Sequence, residues 1–250
     1  MSKNNPKSQY MSIPADRKKQ QKELQSKADL LRTKNFYREA IPNYLNSILI
    51  DRNNAETYLG VGICYKNLGK TKKAIEYLEK SALLDMNNFD TFFELGLCHL
   101  KDEMPCRAIK CFIQAIQLEP DNPEAIYNLG LAHEQCDEQD MALMIYQKLI
   151  ENTPTYLNAY LRKAQLLIKM ELYRPALGLY KKVLKINPNH SESYSNIGLC
   201  LDKLGKPTEA KRYYRKFLTL QPDSNNATAV MKRMEKLRQI NIKNKTLSLV

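Results

Sequence analysis

The chain has no tryptophan, eight glycines in 250 residues, no CxxC pair and no apolar run of the length a membrane span requires. The apolar stretches are broken by Lys, Glu or Asn well short of the roughly 18–20 residues that cross a bilayer. There is no GxxxxGK[ST] loop, no GxGxxG turn and no GxSxG elbow, so the signatures that cradle phosphates or expose a serine nucleophile are missing. The segment MSKNNPKSQYMSIPADRKKQQKE has no apolar core of the kind a secretory signal carries, and a cytoplasmic protein is the expectation. Six cysteines without paired spacing, in a chain too large to need staples, read as reduced thiols.

Charge of one sign is scarce at the ends. The net charge is +12, yet the basic excess sits in residues 1–20, with Lys3, Lys7, Arg17, Lys18 and Lys19 against Asp16, and in residues 225–250, with Lys232, Arg233, Lys236, Arg238, Lys243 and Lys245 against Glu235. The body between is nearly neutral. Residues 1–20 lack apolar periodicity and read as a flexible basic tail, and residues 241–250 as a second one. Contact of these tails with nucleic acid or an anionic membrane is an alternative to plain solvation, which is the preferred reading.

What is there is a period. Ala40, Ala74, Ala108, Ala142, Ala176 and Ala210 stand 34 residues apart without insertion or deletion, which divides residues 21–224 into units 21–54, 55–88, 89–122, 123–156, 157–190 and 191–224. In unit 89–122, Phe92, Leu95, Gly96 and His99 follow one helical face, and Ala108, Phe112 and Ala115 follow another. Each unit is thus a helical hairpin. The eighth position is always small (Ala28, Gly62, Gly96, Gly130, Ala164, Gly198) and the twenty-fourth always large (Tyr44, Leu78, Phe112, Tyr146, Tyr180, Tyr214), so that two helices approach closely and a bulky side chain fills the space between hairpins. Cys64, Cys98 and Cys200 share one position with Ala132 and read as small core fillers. Pro120, Pro154, Pro188 and Pro222 end the last four units. Beyond them, Ala227, Val230, Met234 and Leu237 recur at helical spacing, and residues 225–240 read as a capping helix for the last hairpin.

A 34-residue helix-turn-helix with aromatic-x2-Leu-Gly, then Ala-x3-Phe, then Pro resembles the tetratricopeptide repeat (TPR). The resemblance implies an all-α, right-handed solenoid of six hairpins plus the capping helix. Departures are Arg52 and Met86 in place of Pro, Pro42 inside a second helix, and Leu149, Val183 and Phe217 at a position the family usually gives to Ala.

The resemblance also implies a non-enzymatic protein-interaction module or scaffold. If the fourth, eighth and eleventh residues of each first helix face the partner helix, the fifth, ninth and twelfth lie about 100° around the axis. In the family that stripe lines the concave groove. Here it reads Leu59 and Ile63, then Phe93, Leu97 and Leu100, Tyr127 and Leu131, Leu161 and Ile168, and Leu199, and it is apolar. Asn128, Arg162 and Asn196 stand beside it at sixth positions, placed to hydrogen-bond the backbone of a partner segment. The partner expected is another protein, contributing an extended or helical segment with apolar anchors. No small-molecule substrate, cofactor, metal site or catalytic residue is expected. The carboxylate clamp of chaperone-binding members is met only by Asn128 and Arg162, while Phe93, Leu97 and Asn158 depart from it. His99 and His133 occupy equivalent packing positions, and His190 falls in a turn. Two rival readings are an accessory or substrate-recruiting subunit of an enzyme such as a glycosyltransferase, and a nucleic-acid binder working through its tails.

Overall fold

The computed structural model describes residues 14–247, with side chains to residue 239. Expectations placed on residues 1–13 and 248–250 lie outside the described residues. Within them there are thirteen α-helices and no strand. The first six are α1 (Ala15–Thr33), α2 (Tyr37–Ile50), α3 (Ala55–Asn67), α4 (Thr71–Leu84), α5 (Phe89–Lys101) and α6 (Pro105–Leu118). The next four are α7 (Pro123–Gln135), α8 (Gln139–Asn152), α9 (Leu157–Lys169) and α10 (Tyr173–Ile186). Last come α11 (Ser191–Lys203), α12 (Pro207–Leu220) and α13 (Asn225–Leu247). Within each unit, helices adjacent in the chain pack as hairpins and hairpin packs on hairpin, as α1 on α2 and α2 on α3, or α9 on α10 and α10 on α11, which makes an all-α repeat solenoid. The chain forms two compact units, one up to Ala132 and one from His133 on.

Polar side chains set the helix starts. Asn54 accepts from the Thr57 amide at 3.1 Å, Asn88 from Thr91 at 2.9 Å and Asn122 from Ala125 at 3.2 Å, each satisfying an amide that the helix itself leaves without a partner. Second helices stop two residues before Pro120, Pro154, Pro188 and Pro222. Where Arg52 and Met86 replace proline, α2 and α4 stop at the equivalent place. Asp51 and Asp85 each accept from the amide two residues on, at 2.9 Å, and this Asx turn diverts the chain as the proline does elsewhere. Helix α2 continues through Pro42.

One turn joins the two helices of every hairpin. The fifteenth residue of each unit has positive φ: Asn35, Gly69, Glu103, Asp137, Glu171 and Gly205. Its amide reaches the carbonyl three residues back, and the next amide reaches five back, as in Glu103 to Leu100 (3.3 Å) and Met104 to His99 (2.8 Å). These paired bonds are the Schellman closure of a helix C-terminus. Glycine adopts that backbone without strain, whereas Glu103 and Glu171 hold it against their own Cβ.

The cores lie between hairpins. Tyr44, Leu78, Phe112, Tyr146 and Tyr180 are fully buried and Tyr214 is 3% exposed. A Cβ at Gly62 would stand 2.6 Å from Leu78, one at Gly96 2.6 Å from Phe112, and one at Gly198 2.6 Å from Tyr214. The small eighth residue therefore receives the large twenty-fourth. In the N-terminal unit the cores gather around Tyr44, Leu78 and Phe112. In the C-terminal unit one core joins Tyr180, Tyr214 and Phe217 to Ala227, Val230 and Leu237 of α13.

Two expected boundaries move. Residues 15–20, read as part of a flexible tail, are the first turns of α1, and residues 241–247, read as a second tail, continue α13. Arg17, Lys18, Lys19 and Gln20 are strong helix formers without an apolar stripe, so at the start of α1 periodicity misses helix that propensity supports. Gln21 anchors α1, donating from Nε2 to Ser47 Oγ at 2.9 Å.

Replacing Glu103 and Glu171 together by glycine is expected to stabilise the chain by about 0.5–1 kcal/mol per site, since relief of the left-handed strain outweighs the added unfolded-state entropy. Thermal unfolding followed by circular dichroism should rise by about 2–4 °C per kcal/mol. An unchanged or lower midpoint would contradict the strain assignment.

Candidate functional site

The first-helix stripe is half-buried rather than open. Ile63, Phe93, Leu97, Leu100, Tyr127, Leu131, Leu161, Ile168 and Leu199 each keep part of their surface accessible, and Leu59 is buried at 9% exposure. Phe93, Leu97 and Leu100 lean on Ala108, Phe112 and Ala132, and Ile63 leans on the core around Leu78. The helical period gives an angle about the axis but not the neighbours met there. The most exposed large apolar side chains among the described residues lie elsewhere, at Leu83 (83%) on α4, Leu49 on α2 and Met86 just after α4.

In the N-terminal unit α1, α3 and α5 enclose a cleft of about 280 Å³. Leu59, Gly60 and Ile63 line it together with Gln25, Asp29, Arg32, Glu56, Asn88 and Asp90. The cleft opens beside Gly60, which stands where later units carry Glu94, Asn128, Arg162 and Asn196. A Cβ there would lie 2.4 Å from the Tyr44 ring, so glycine is required by the preceding hairpin. Around the wall, the Tyr44 hydroxyl donates to Asp29 Oδ1 at 2.5 Å and accepts from Arg32 Nε at 3.0 Å. Burial and the bond to Asp29 push the Tyr44 phenol up, and Tyr44 with Asp29 holds the Arg32 guanidinium above its ordinary value although burial works against its charge. Gln25 Nε2 donates to Glu56 Oε2 at 3.1 Å, and Gln25 Oε1 accepts from Asn54 Nδ2 at 3.1 Å. Three carboxylates against one guanidinium leave the cleft acidic, in a form fitted to a polar or cationic group. Apart from Leu59 and Ile63, these residues escape periodicity; the lone Gly60 among larger sixth residues is the signal in the sequence that marks the place.

Arg162 and Asn128 have partners within the chain. Arg162 forks onto Glu134, Nη2 to Oε2 at 2.8 Å and Nε to Oε1 at 3.2 Å, and Glu134 Oε1 also accepts from the buried Tyr146 hydroxyl at 2.6 Å. Asn128 donates to the Glu124 carbonyl at 2.8 Å. Arg162 thus ties α9 to α7. Lys66 and Glu94 make the equivalent link between α3 and α5. Asp202 and Arg233 link α11 to α13, with Nη2 to Oδ1 at 2.8 Å. Asn196 and Leu199 line a second cleft of about 310 Å³, shared with Asn226, Ala229, Val230 and Arg233 of α13.

Four of the cysteines are buried among apolar side chains. Burial pushes the Cys64, Cys98, Cys111 and Cys200 thiols up to about 11, which keeps them protonated at neutral pH. Burial, with Arg107 adding to it, lowers His99, whose Nδ1 has no hydrogen-bond partner. His133 Nδ1 meets Glu138 Oε2 at 2.5 Å. His190 caps α11, its Nδ1 accepting from the Ser193 amide at 3.3 Å. Among the described residues no group of three or more His, Cys, Asp and Glu could hold a metal ion, and no helix is long and apolar enough to cross a membrane.

Comparison with known families finds tetratricopeptide repeat models matching residues 55–88, 123–156 and 157–190, a further one at 179–212, and a TPR repeat model at 107–137. Together they span more than half of the chain. It is a tetratricopeptide repeat protein. Solved structures similar to this TPR chain include a MamA protein, 27% identical over 67% of this chain and 92% of that one, with a TM-score of 0.63. Another is YrrB, described as a TPR protein with an unusual peptide-binding site, 20% identical over 76% and 97%, with a TM-score of 0.63. A third is PilF of Pseudomonas aeruginosa, 18% identical over 87% and 99%, with a TM-score of 0.69. The latter two share the fold alone. No curated protein matches the chain.

For this TPR protein, Glu134→Ala is expected to lose about 1–3 kcal/mol, since it leaves the buried Tyr146 hydroxyl without its acceptor. Arg162→Ala should lose less, and the double variant should fall short of the sum. Urea unfolding of the four proteins measures the coupling, and strict additivity would contradict a shared network.

Proposed function

We propose that this TPR protein is a non-enzymatic scaffold that binds a segment of a partner protein along the first helices of its N-terminal unit. The family is an interaction module in general, and the observation that carries the finer reading is the cleft beside Gly60, which lies on the same helices as Ile63, Phe93, Leu97 and Leu100. Apolar anchors of the segment cover those half-buried side chains, with Tyr127 and Leu131 extending the surface on α7. Gln25, Asn88 and the carboxylates of the cleft take its polar or cationic end. Asn196 and Leu199 offer a lesser counterpart in the C-terminal unit, where α13 closes one side of their cleft, and Leu161 on α9 adds a half-buried apolar side chain.

The half-buried stripe suits reversible binding. Completing the burial of one such side chain contributes at most about 1.5–3 kcal/mol, and ordering a flexible segment opposes it. Three or four anchors then give roughly micromolar affinity. The YrrB likeness supports peptide recognition by this architecture in kind, without specifying the same groove.

Ile63→Glu combined with Leu97→Glu is expected to lower partner capture at least tenfold in affinity purification while helicity stays unchanged by circular dichroism. Leu83→Glu, on a second helix, should leave capture intact. A partner list unchanged by the first variant, with its fold verified, would overturn the reading.

A further inference from the structure

A different face of the C-terminal unit carries a second surface. Helix α13 packs Ala227, Val230 and Leu237 into the core built by α11 and α12. Between α12 and α13 lies a groove of about 410 Å³. Leu218, Met231 and Met234 give it an apolar floor, with Met231 half exposed. Lys211, Arg215 and Arg238 form its rim. None of these three cations takes part in an ion pair among the described residues, and Glu235 is the one carboxylate lining the groove. Exposed Arg212 and Lys216 on α12, and Lys232 and Lys236 on α13, extend the positive field around it.

We propose that this groove receives an amphipathic helix of a partner protein whose apolar stripe is flanked by carboxylates. The floor supplies what an aliphatic stripe needs, and flexible methionines adapt to its shape. The rim supplies charge of the sign complementary to Asp and Glu. Nucleic acid fits the rim but not the floor, because no aromatic side chain lines the groove for base stacking and phosphates gain nothing from Leu218, Met231 and Met234. The surface is separate from the first-helix cleft and does not depend on it.

The test uses the full chain and a labelled synthetic peptide of about 18 residues, five turns of helix, with a leucine stripe bordered by glutamates. Fluorescence anisotropy should show binding at least tenfold tighter than for the same peptide with lysine at every glutamate position or serine at every leucine position. Arg215→Glu with Arg238→Glu should weaken the glutamate peptide at least tenfold, and Ile63→Glu with Leu97→Glu should leave it unchanged. Equal binding of the lysine or serine peptide would overturn the proposal, as would indifference to the arginine changes. Tight binding of single-stranded RNA, lost in the arginine variant while the peptide does not bind, would make the groove a nucleic-acid site instead. A concentration-dependent dimer abolished by that variant, again without peptide binding, would make it a contact between copies of the chain.

Discussion

The contact between the small eighth residue and the large twenty-fourth is what the rest of the molecule depends on. A methyl group at Gly96 would stand 2.6 Å from Phe112, so the two helices of that hairpin meet at a distance only glycine permits, and Phe112 is fully buried as a result. Truncating a side chain in such a place typically destabilises by about 3–5 kcal/mol. The same seat recurs at Gly62 with Leu78 and at Gly198 with Tyr214, while Ala28 and Ala164 share cores with Tyr44 and Tyr180. Because this contact uses one face of each first helix, the adjacent face is left for other work.

That adjacent face divides its positions by junction. Where a unit's twelfth residue and the next unit's sixth carry opposite charge, as in Lys66 with Glu94 and Glu134 with Arg162, they pair across neighbouring first helices. At the junction of α1 and α3 the sixth residue is Gly60, and the surface opens into a cleft instead. One register position therefore serves cohesion in some hairpins and access in another, according to the residue placed there.

The hairpins and their interlock were legible in the sequence, because the alanines at the twentieth position recur every 34 residues and the residues that interlock are small or bulky in every copy. The turns were not, since Asn35, Glu103, Asp137 and Glu171 hold a backbone that only Gly69 and Gly205 would announce. Nor was the role of Arg162. Its pairing with Glu134 spans 28 residues and becomes apparent only once successive hairpins are stacked. The apolar stripe was read as more open than it is, because a period carries no information on what Phe93 and Leu97 lean against. The ends of α1 and α13 were read short: the outer turns of α1 consist of polar helix formers with no stripe to count, and those of α13 lie beyond Leu237, the last residue of its apolar spacing.

Hydrogen exchange of the full chain, free and saturated with its captured partner, tests the central claim most directly. Binding along the first helices of the N-terminal unit predicts slowed exchange in residues 55–67 and 89–101, with residues 71–84 and 105–118 unchanged. Protection confined to those second helices, with the first helices unaffected, would contradict the account.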